Sequence, residues 1–175
     1  MSLRLVVHIH DLPVWSVPPA QVDRLRRALP DVEVVDVRSD TDCRVAIPGA
    51  EVLFATKLRA DTLAAADRLR WVHSSAVGVG GLSLAALGAR GIAVSNSRGV
   101  HAATIAEHSI ALMLALRRQL PQAMRRQAAH QWAQEELSLG QVPPASSTQV
   151  LVVGLGAIGS RVARHAAALG MRVSG

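Results

Sequence analysis

The sequence predicts an α/β protein built on parallel sheets. Short apolar runs rich in β-branched residues alternate with helical patterns between residues 3 and 95. Farther along, a glycine-rich G-x-G-x-x-G segment lies between another such run and a helical pattern. Strands that alternate with helices form parallel sheets joined by crossover helices. With 175 residues, 50% of them hydrophobic and 18% charged, the chain has a globular composition.

The first part of the chain supplies most of the predicted strands. The runs predicted as strands are residues 3–7, 32–37, 51–55, 69–73 and 92–95. A first helix follows two prolines, carries Val22, Leu25 and Leu29 on one face and ends at Pro30. Short helices are predicted at residues 61–67 and at residues 82–88. This alternation predicts one parallel sheet with crossover helices.

The pattern changes after residue 100. Thr104 and Glu107 fit a capping box, in which a threonine hydroxyl accepts from a backbone N–H and a glutamate reaches back. The helix that follows, through residue 116, is apolar nearly all round, so we expect it to be buried between domains or subunits. A basic helical stretch is predicted to continue to about Trp132. Residues 140–148, rich in Pro and Ser, are predicted as a loop.

The glycine-rich segment has the context of a dinucleotide-binding turn. Residues 150–153 are predicted as a strand buried on both faces, residues 160–169 as a helix and Gly170 as its C-terminal stop. Gly154 permits the tight turn, Gly156 lets the backbone approach a pyrophosphate, and Gly159 lets helix and strand pack closely. The N-terminus of the helix offers backbone N–H groups to the phosphates. A purely structural glycine turn is the alternative.

Three further segments carry a family resemblance. They are W-V-H-S-S-A-V-G-V at residues 71–79, R-G-I-A-V-S-N-S-R-G-V at residues 90–100, and A-E-H at residues 106–108 with R-R-Q-L-P at residues 117–121. Together with the glycine segment, their order and spacing resemble the N-terminal portion of D-isomer-specific 2-hydroxyacid dehydrogenases of the glyoxylate/hydroxypyruvate reductase type. The resemblance runs from about Leu69 onward, and residues 1–68 match in architecture alone.

The resemblance implies a fold and an activity. We expect a flavodoxin-like substrate-binding domain at residues 1–97 and, at residues 98–175, the incomplete start of a Rossmann dinucleotide-binding domain. The implied reaction is hydride transfer between the nicotinamide of NAD or NADP and a short 2-oxo or 2-hydroxy acid. The acidic residue that binds the adenine ribose is expected about 20 residues beyond the first glycine, Gly154. That position falls at or just beyond Gly175, the last residue of the sequence given, so the choice between NAD and NADP stays open.

The resemblance also assigns binding residues. The backbone amides of Val77 and Gly78 match positions that hold the substrate carboxylate, and a turn with unbonded amides can act as an anion nest. A plain strand-to-helix turn is the alternative, and Gly80 replaces the usual Asp. Ala157 and Ile158, between the three glycines, match positions facing the cofactor pyrophosphate. Thr104 matches a position near the nicotinamide, although a capping role alone would explain it.

No catalytic residue is expected in this chain. In the family, an Arg, a carboxylate and a His carry the chemistry from the second half of the Rossmann domain, so the chain alone is expected to be inactive. Satisfied structural histidines are the preferred interpretation of His73, His101 and His108. The alternative function is a catalytically silent module that binds a dinucleotide or a 2-oxo acid.

Charge and composition predict the partners. The net charge of +6 comes almost entirely from Arg residues scattered along helices, and aromatic residues make up 2% of the chain. We therefore expect no nucleic-acid partner, because base-stacking platforms are lacking. Cys43 is the single cysteine, which favours a reducing, cytoplasmic setting. No membrane span and no metal site are expected, and a homodimer is predicted.

Overall fold

A computed structural model describes residues 2–9, 15–139 and 143–175. The chain forms two compact units, Met1–Arg98 and Gly99–Gly175. Each unit is built around its own parallel sheet. The predicted α/β class with parallel sheets is therefore confirmed.

Unit 1 is a five-stranded parallel sheet. Its strands are β1 (Leu3–His8), β2 (Val32–Asp36), β3 (Val52–Ala55), β4 (Trp71–Ser74) and β5 (Ala93–Asn96). Its helices are α1 (Pro19–Ala28), α2 (Asp40–Ala46), α3 (Ala60–Ala65) and α4 (Leu84–Ala89). The strand order β2-β1-β3-β4-β5 is that of flavodoxin-like sheets, and every pairing is parallel. Parallel pairing brings all five carboxyl ends to one edge of the sheet.

The core of unit 1 has two parts because side chains alternate across each strand. Val6, Leu53 and Val72 face one way and pack with buried residues of α2, α3 and α4. Leu5 and Val7 face the other way and pack with α1 through Val22. On that second face, Trp71 of β4 is 44% exposed, so the cover given by α1 does not extend to it.

One helix of unit 1, α2, was not predicted from the sequence. α2 begins after Ser39, whose hydroxyl accepts a hydrogen bond from the backbone N–H of Asp42 at 3.0 Å. Its buried side chains, Cys43 and Ala46, give too short a periodic pattern to stand out. The predicted helices and strands elsewhere in unit 1 are present with ends shifted by a few residues.

Unit 2 contains four helices and a two-stranded sheet among its described residues. The helices are α5 (Ala102–Arg117), α6 (Leu120–Ala128), α7 (Gln134–Leu139) and α8 (Gly159–Ala168), with a 3₁₀ turn at Ala145–Ser147. The strands are β6 (Gln149–Leu151) and β7 (Arg172–Ser174), which pair in parallel. α5 packs against α8. Part of the predicted loop, residues 140–142, lies outside the described residues.

The predicted capping box at Thr104 is wrong. Gly99 adopts a positive φ of 91°, and the N–H of Ala102 donates to its carbonyl at 3.1 Å, so α5 begins at Ala102. Thr104 then lies inside the first turn. Its hydroxyl donates to the carbonyl of His101 at 3.2 Å instead of accepting from a backbone N–H.

The predicted basic helical stretch is present as a separate helix, α6, which ends at Ala128 instead of near Trp132. α5 ends at Arg117, and Gln119 takes a left-handed conformation with φ 53° before α6 begins. Pro121 explains the break, since a proline without an N–H fits the first turn of a new helix and would disrupt the interior of a continuing one.

β6 is less buried than its apolar sequence predicts. Val152 is buried, but Leu151 is 72% and Val153 is 92% exposed. The prediction of a strand buried on both faces is therefore wrong for these two side chains. β7 is the one strand that pairs with β6 among the described residues of unit 2, and it lies beside β6 in the sheet, where it covers neither face.

Candidate functional site

The turn after β4 lies at the carboxyl edge of the sheet in unit 1. Ser74 ends β4, and its hydroxyl donates to the carbonyl of Gly78 at 3.1 Å and accepts from the N–H of Ala76 at 3.3 Å. Val77 is 45% exposed, and Gly78 is exposed. Among the described residues, no group of the chain accepts from the backbone N–H of Val77 or Gly78. Two successive exposed amides can hold an anion.

The turns after β3 and β4 are in direct contact. The hydroxyls of Thr56 and Ser75 are 2.8 Å apart, and the N–H of Leu58 donates to the carbonyl of Gly81 at 3.0 Å. A Cβ at Gly81 would lie 2.6 Å from the backbone oxygen of Thr56, so a side chain there would push the two turns apart. The contact fixes the turn that carries Val77 against its neighbour.

The glycine segment of unit 2 forms a tight turn between β6 and α8. Gly154 has a φ of 93°, which a residue with a side chain rarely adopts. A Cβ at Gly159 would lie 1.9 Å from the carbonyl oxygen of Gly154, so helix and turn touch at this point. These observations confirm two of the three structural tasks predicted for the glycines.

The segment has room for a phosphate. A Cβ at Gly156 would meet no atom within 4 Å, so the backbone lies open on that side. In the described part of the segment, the first N–H to donate within the chain is that of Ser160, to the carbonyl of Gly156 at 3.0 Å. The N–H groups of Ala157 and Ile158 are therefore unbonded at the N-terminus of α8, which carries a positive dipole end. These residues fit a pyrophosphate.

The chain is similar to proteins of one known family. The family described as D-isomer specific 2-hydroxyacid dehydrogenase, catalytic domain, matches residues 7–168. The chain belongs to this family. It is 37% identical over 169 residues to D-3-phosphoglycerate dehydrogenase of Mycobacterium leprae, an alignment that covers 93% of this chain and 31% of the relative. It is 28% identical to hydroxypyruvate reductase of Thermotoga maritima, with 98% of this chain and 50% of the relative covered.

A solved structure of a D-2-hydroxyacid dehydrogenase also matches the fold of this chain. The D-lactate dehydrogenase of Aquifex aeolicus, complexed with NAD and lactic acid, is 25% identical and superposes with a TM-score of 0.74. That match covers 97% of this chain and 50% of the other. The chain thus spans between about a third and half of the length of these family members.

His73, near the carboxyl edge of the sheet in unit 1, is hydrogen-bonded and packed within the fold. His73 lies between the hydroxyls of Ser95, 2.8 Å from Nδ1, and Ser97, 3.2 Å from Nε2, and its ring stacks on Phe54. The structural interpretation of His73 is confirmed. His101 and His108 instead are exposed, one at the start of α5 and one along it.

Three hydrogen-bonded ionisable side chains connect the end of β1, the start of α2 and the segment after β3. Nε2 of His8, a buried side chain at the end of β1, is 3.0 Å from Asp40 Oδ1, and Lys57 Nζ donates to Oδ2 at 3.0 Å. Burial raises the pKa of Asp40, but the bonds from His8 and Lys57 outweigh it and hold that pKa below its ordinary value. With 2% of its side chain exposed, His8 is placed to anchor Asp40 and is closed to a substrate.

A cavity of about 1240 Å³ lies between α6 and α7 in unit 2. Exposed Met124 and Trp132 line it, and none of the predicted site residues does. Arg118, Arg126 and His130 also line it, but Arg126 is paired with Glu136 at 2.8 Å, and the predicted binding residues lie at the two turns instead. No described helix is long and apolar enough to span a membrane. The described residues contain no cluster of His, Cys, Asp and Glu that could hold a metal ion.

The residues that hold the turn carrying Val77 and Gly78 were not predicted from the sequence. Asn96 donates from Nδ2 to the carbonyl of Val77 at 2.6 Å, and Ser97 donates from its hydroxyl to the carbonyl of Ser74 at 3.0 Å. The available signal was positional: polar residues directly after β5 must lie beside those directly after β4, because the carboxyl ends of parallel strands share one edge.

Proposed function

We propose that this chain supplies the binding turns of an NAD(P)-dependent oxidoreductase that transfers a hydride between nicotinamide and a short 2-oxo or 2-hydroxy acid. Unit 1 binds the acid, and unit 2 begins the dinucleotide-binding domain. The observation that carries the proposal is the turn at residues 154–159. A backbone contact at Gly159, an open side at Gly156 and unbonded amides at the start of α8 are the features a pyrophosphate requires.

The acid is proposed to bind through its carboxylate. The backbone N–H groups of Val77 and Gly78 donate to the two carboxylate oxygens, and charge-assisted bonds of this kind are stronger than neutral ones. The names of the relatives indicate the substrate class, since phosphoglycerate, hydroxypyruvate and lactate are all short acids that carry the oxygen at C2. We therefore propose a short 2-oxo or 2-hydroxy acid as the substrate.

The cofactor is proposed to be NAD or NADP. Gly154, Gly156 and Gly159 shape the turn, and the amides of Ala157 and Ile158 donate to the pyrophosphate. Thr104 is assigned to the nicotinamide end, and its position in the first turn of α5 leaves the side chain exposed. When bound, the nicotinamide supplies or takes up the hydride. The solved relative complexed with NAD supports the same cofactor class.

A catalytically silent binding module is the second candidate. The observation that favours it is the state of the two histidines in unit 1. His73 is held by two serines and His8 by Asp40, so neither presents a ring nitrogen to the turn at Val77. A silent module would bind the dinucleotide and the acid without turnover.

We also propose a homodimer in the cytoplasm. Unit 2 exposes large apolar side chains along α5 and α6, with Leu116 exposed at 70% and Met124 at 66%. We propose that a second copy of the chain covers these exposed apolar side chains. The single buried cysteine, Cys43, suits a reducing compartment.

Titration of the purified chain with NADH, followed by NADH fluorescence, tests the proposal. Saturable binding is expected, with competition by NAD. With this chain alone, added glyoxylate or hydroxypyruvate should leave the NADH unoxidised under both candidates, because the catalytic Arg, carboxylate and His are not expected in it. The same assay on the protein purified from its natural source separates the candidates: acid-dependent oxidation of NADH supports the dehydrogenase, whereas binding without oxidation supports the silent module. A chain that is folded by circular dichroism and binds neither NADH nor NADPH would contradict both candidates.

A further inference from the structure

Residues at the carboxyl end of β5 form hydrogen bonds to the turn that carries Val77 and Gly78. The backbone N–H of Ser97 donates to the carbonyl of Ala76 at 3.2 Å. The side-chain amide of Asn96 donates to the carbonyl of Val77 at 2.6 Å. Two successive carbonyl groups of the turn are therefore bonded to groups at the end of β5.

These two bonds set the direction of the next two N–H groups. A carbonyl and the N–H that follows it belong to the same planar, trans peptide, so they point in opposite directions. Drawing the carbonyl of Ala76 toward β5 turns the N–H of Val77 away from β5. Drawing the carbonyl of Val77 toward Asn96 does the same for the N–H of Gly78. Both N–H groups thus face the side on which no described group of unit 1 accepts from them.

Ser97 is itself fixed by a directional chain of hydrogen bonds. The Ser97 hydroxyl donates its one hydrogen to the carbonyl of Ser74, so it accepts from Nε2 of His73, 3.2 Å away. Nδ1 of the neutral ring then accepts from the Ser95 hydroxyl at 2.8 Å, and that hydroxyl also accepts from the indole N–H of Trp71 at 2.8 Å. A single neutral tautomer of His73 satisfies every link. Both the hydroxyl and the backbone N–H of Ser97 are therefore engaged with the turn.

We infer that Asn96 and Ser97 are positioning residues that aim the N–H groups of Val77 and Gly78 at a carboxylate ligand, with His73 orienting the Ser97 hydroxyl. This inference rests on the proposed function, because it assigns the residues that prepare the proposed substrate-binding turn. Amides aimed before the ligand arrives need no reorganisation on binding, so loosening them lowers affinity without removing any atom that touches the ligand.

The test follows oxalate, a small dicarboxylate probe, binding to the 15N-labelled full chain by NMR. In the wild-type protein, oxalate should shift the amide signals of Val77 and Gly78. The variants Asn96→Ala and Ser97→Ala should weaken binding by about three- to tenfold, the loss expected for one hydrogen bond. Ser97→Thr keeps the hydroxyl and should restore binding to within about twofold. Ser83→Ala, at an exposed serine without a side-chain cap bond, is the matched control and should bind as wild type.

The outcomes distinguish a failure of this inference from a failure of the proposed function. If the wild type binds oxalate through Val77 and Gly78 but the Asn96→Ala and Ser97→Ala variants bind it equally well, the positioning role is refuted and the proposed function stands. If oxalate leaves both amide signals of the wild type unchanged, the substrate-binding turn itself is refuted. Asn96 is exposed, so the Asn96→Ala variant keeps its fold and decides the question even if Ser97→Ala unfolds.

Discussion

Replacing Gly159 with alanine should break the contact on which the glycine turn depends. The added Cβ would lie 1.9 Å from the carbonyl oxygen of Gly154, at least 3.0 − 1.9 = 1.1 Å closer than real Cβ contacts come. The obstacle is backbone, so no side-chain rotation relieves it. Overpacking costs about 1–3 kcal/mol, and the depth of this overlap points to the upper end, about 3 kcal/mol of unfolding free energy.

Urea denaturation followed by circular dichroism measures this loss. Gly156→Ala is the matched control, because its Cβ meets no atom within 4 Å and the change should leave the unfolding free energy within about 0.5 kcal/mol of wild type. A Gly159→Ala variant that is as stable as the wild type would show that helix and turn do not touch as described. The packing role assigned to this glycine would then be refuted.

Three further predictions concern binding, charge and the contact between turns. Gly156→Val should weaken NADH binding by at least about tenfold, because the side chain occupies the open side of the turn, with little change in the urea midpoint. Asp40→Asn should lower the unfolding free energy by about 1.5–3 kcal/mol at neutral pH. Since the pKa of Asp40 is depressed in the folded chain, its contribution is fully present above about pH 4 and is lost as pH falls below that value, so the difference from wild type should shrink in acid. A constant difference would contradict this account. Gly81→Ala should cost about 1–3 kcal/mol, because its Cβ would lie 2.6 Å from a backbone oxygen, and a thermal melt that matches wild type would contradict the contact.

The sheet of unit 1 and the glycine turn were predictable because each has a strong local signal. The five strands are short β-branched runs separated by turn residues, and their order along the chain fixed the parallel class. The glycine turn was predictable because Gly154 and Gly159 serve needs that only glycine meets, a positive φ and a close backbone contact. Both features depend on residues that lie close together in the sequence.

The features that were missed depend on residues far apart in sequence. Asn96 and Val77 come together because β5 pairs with β4, and nothing near Asn96 in the sequence indicates that bond. The start of α5 was misplaced for a related reason. The favourable pattern at Thr104 competes with a turn at Gly99 that begins the helix earlier, and the outcome depends on the path of the incoming chain. Pattern alone could not decide between the two.

The most direct test of the central claim is to map where NADH binds. The 15N-labelled chain is titrated with NADH, and the backbone amide signals are followed by NMR. The account predicts that the largest shifts fall on Gly156, Ala157 and Ile158, at the N-terminus of α8. Saturable binding whose shifts fall instead on the α6–α7 cavity around Trp132, with residues 154–159 unchanged, would contradict the assignment of the glycine turn as the dinucleotide site.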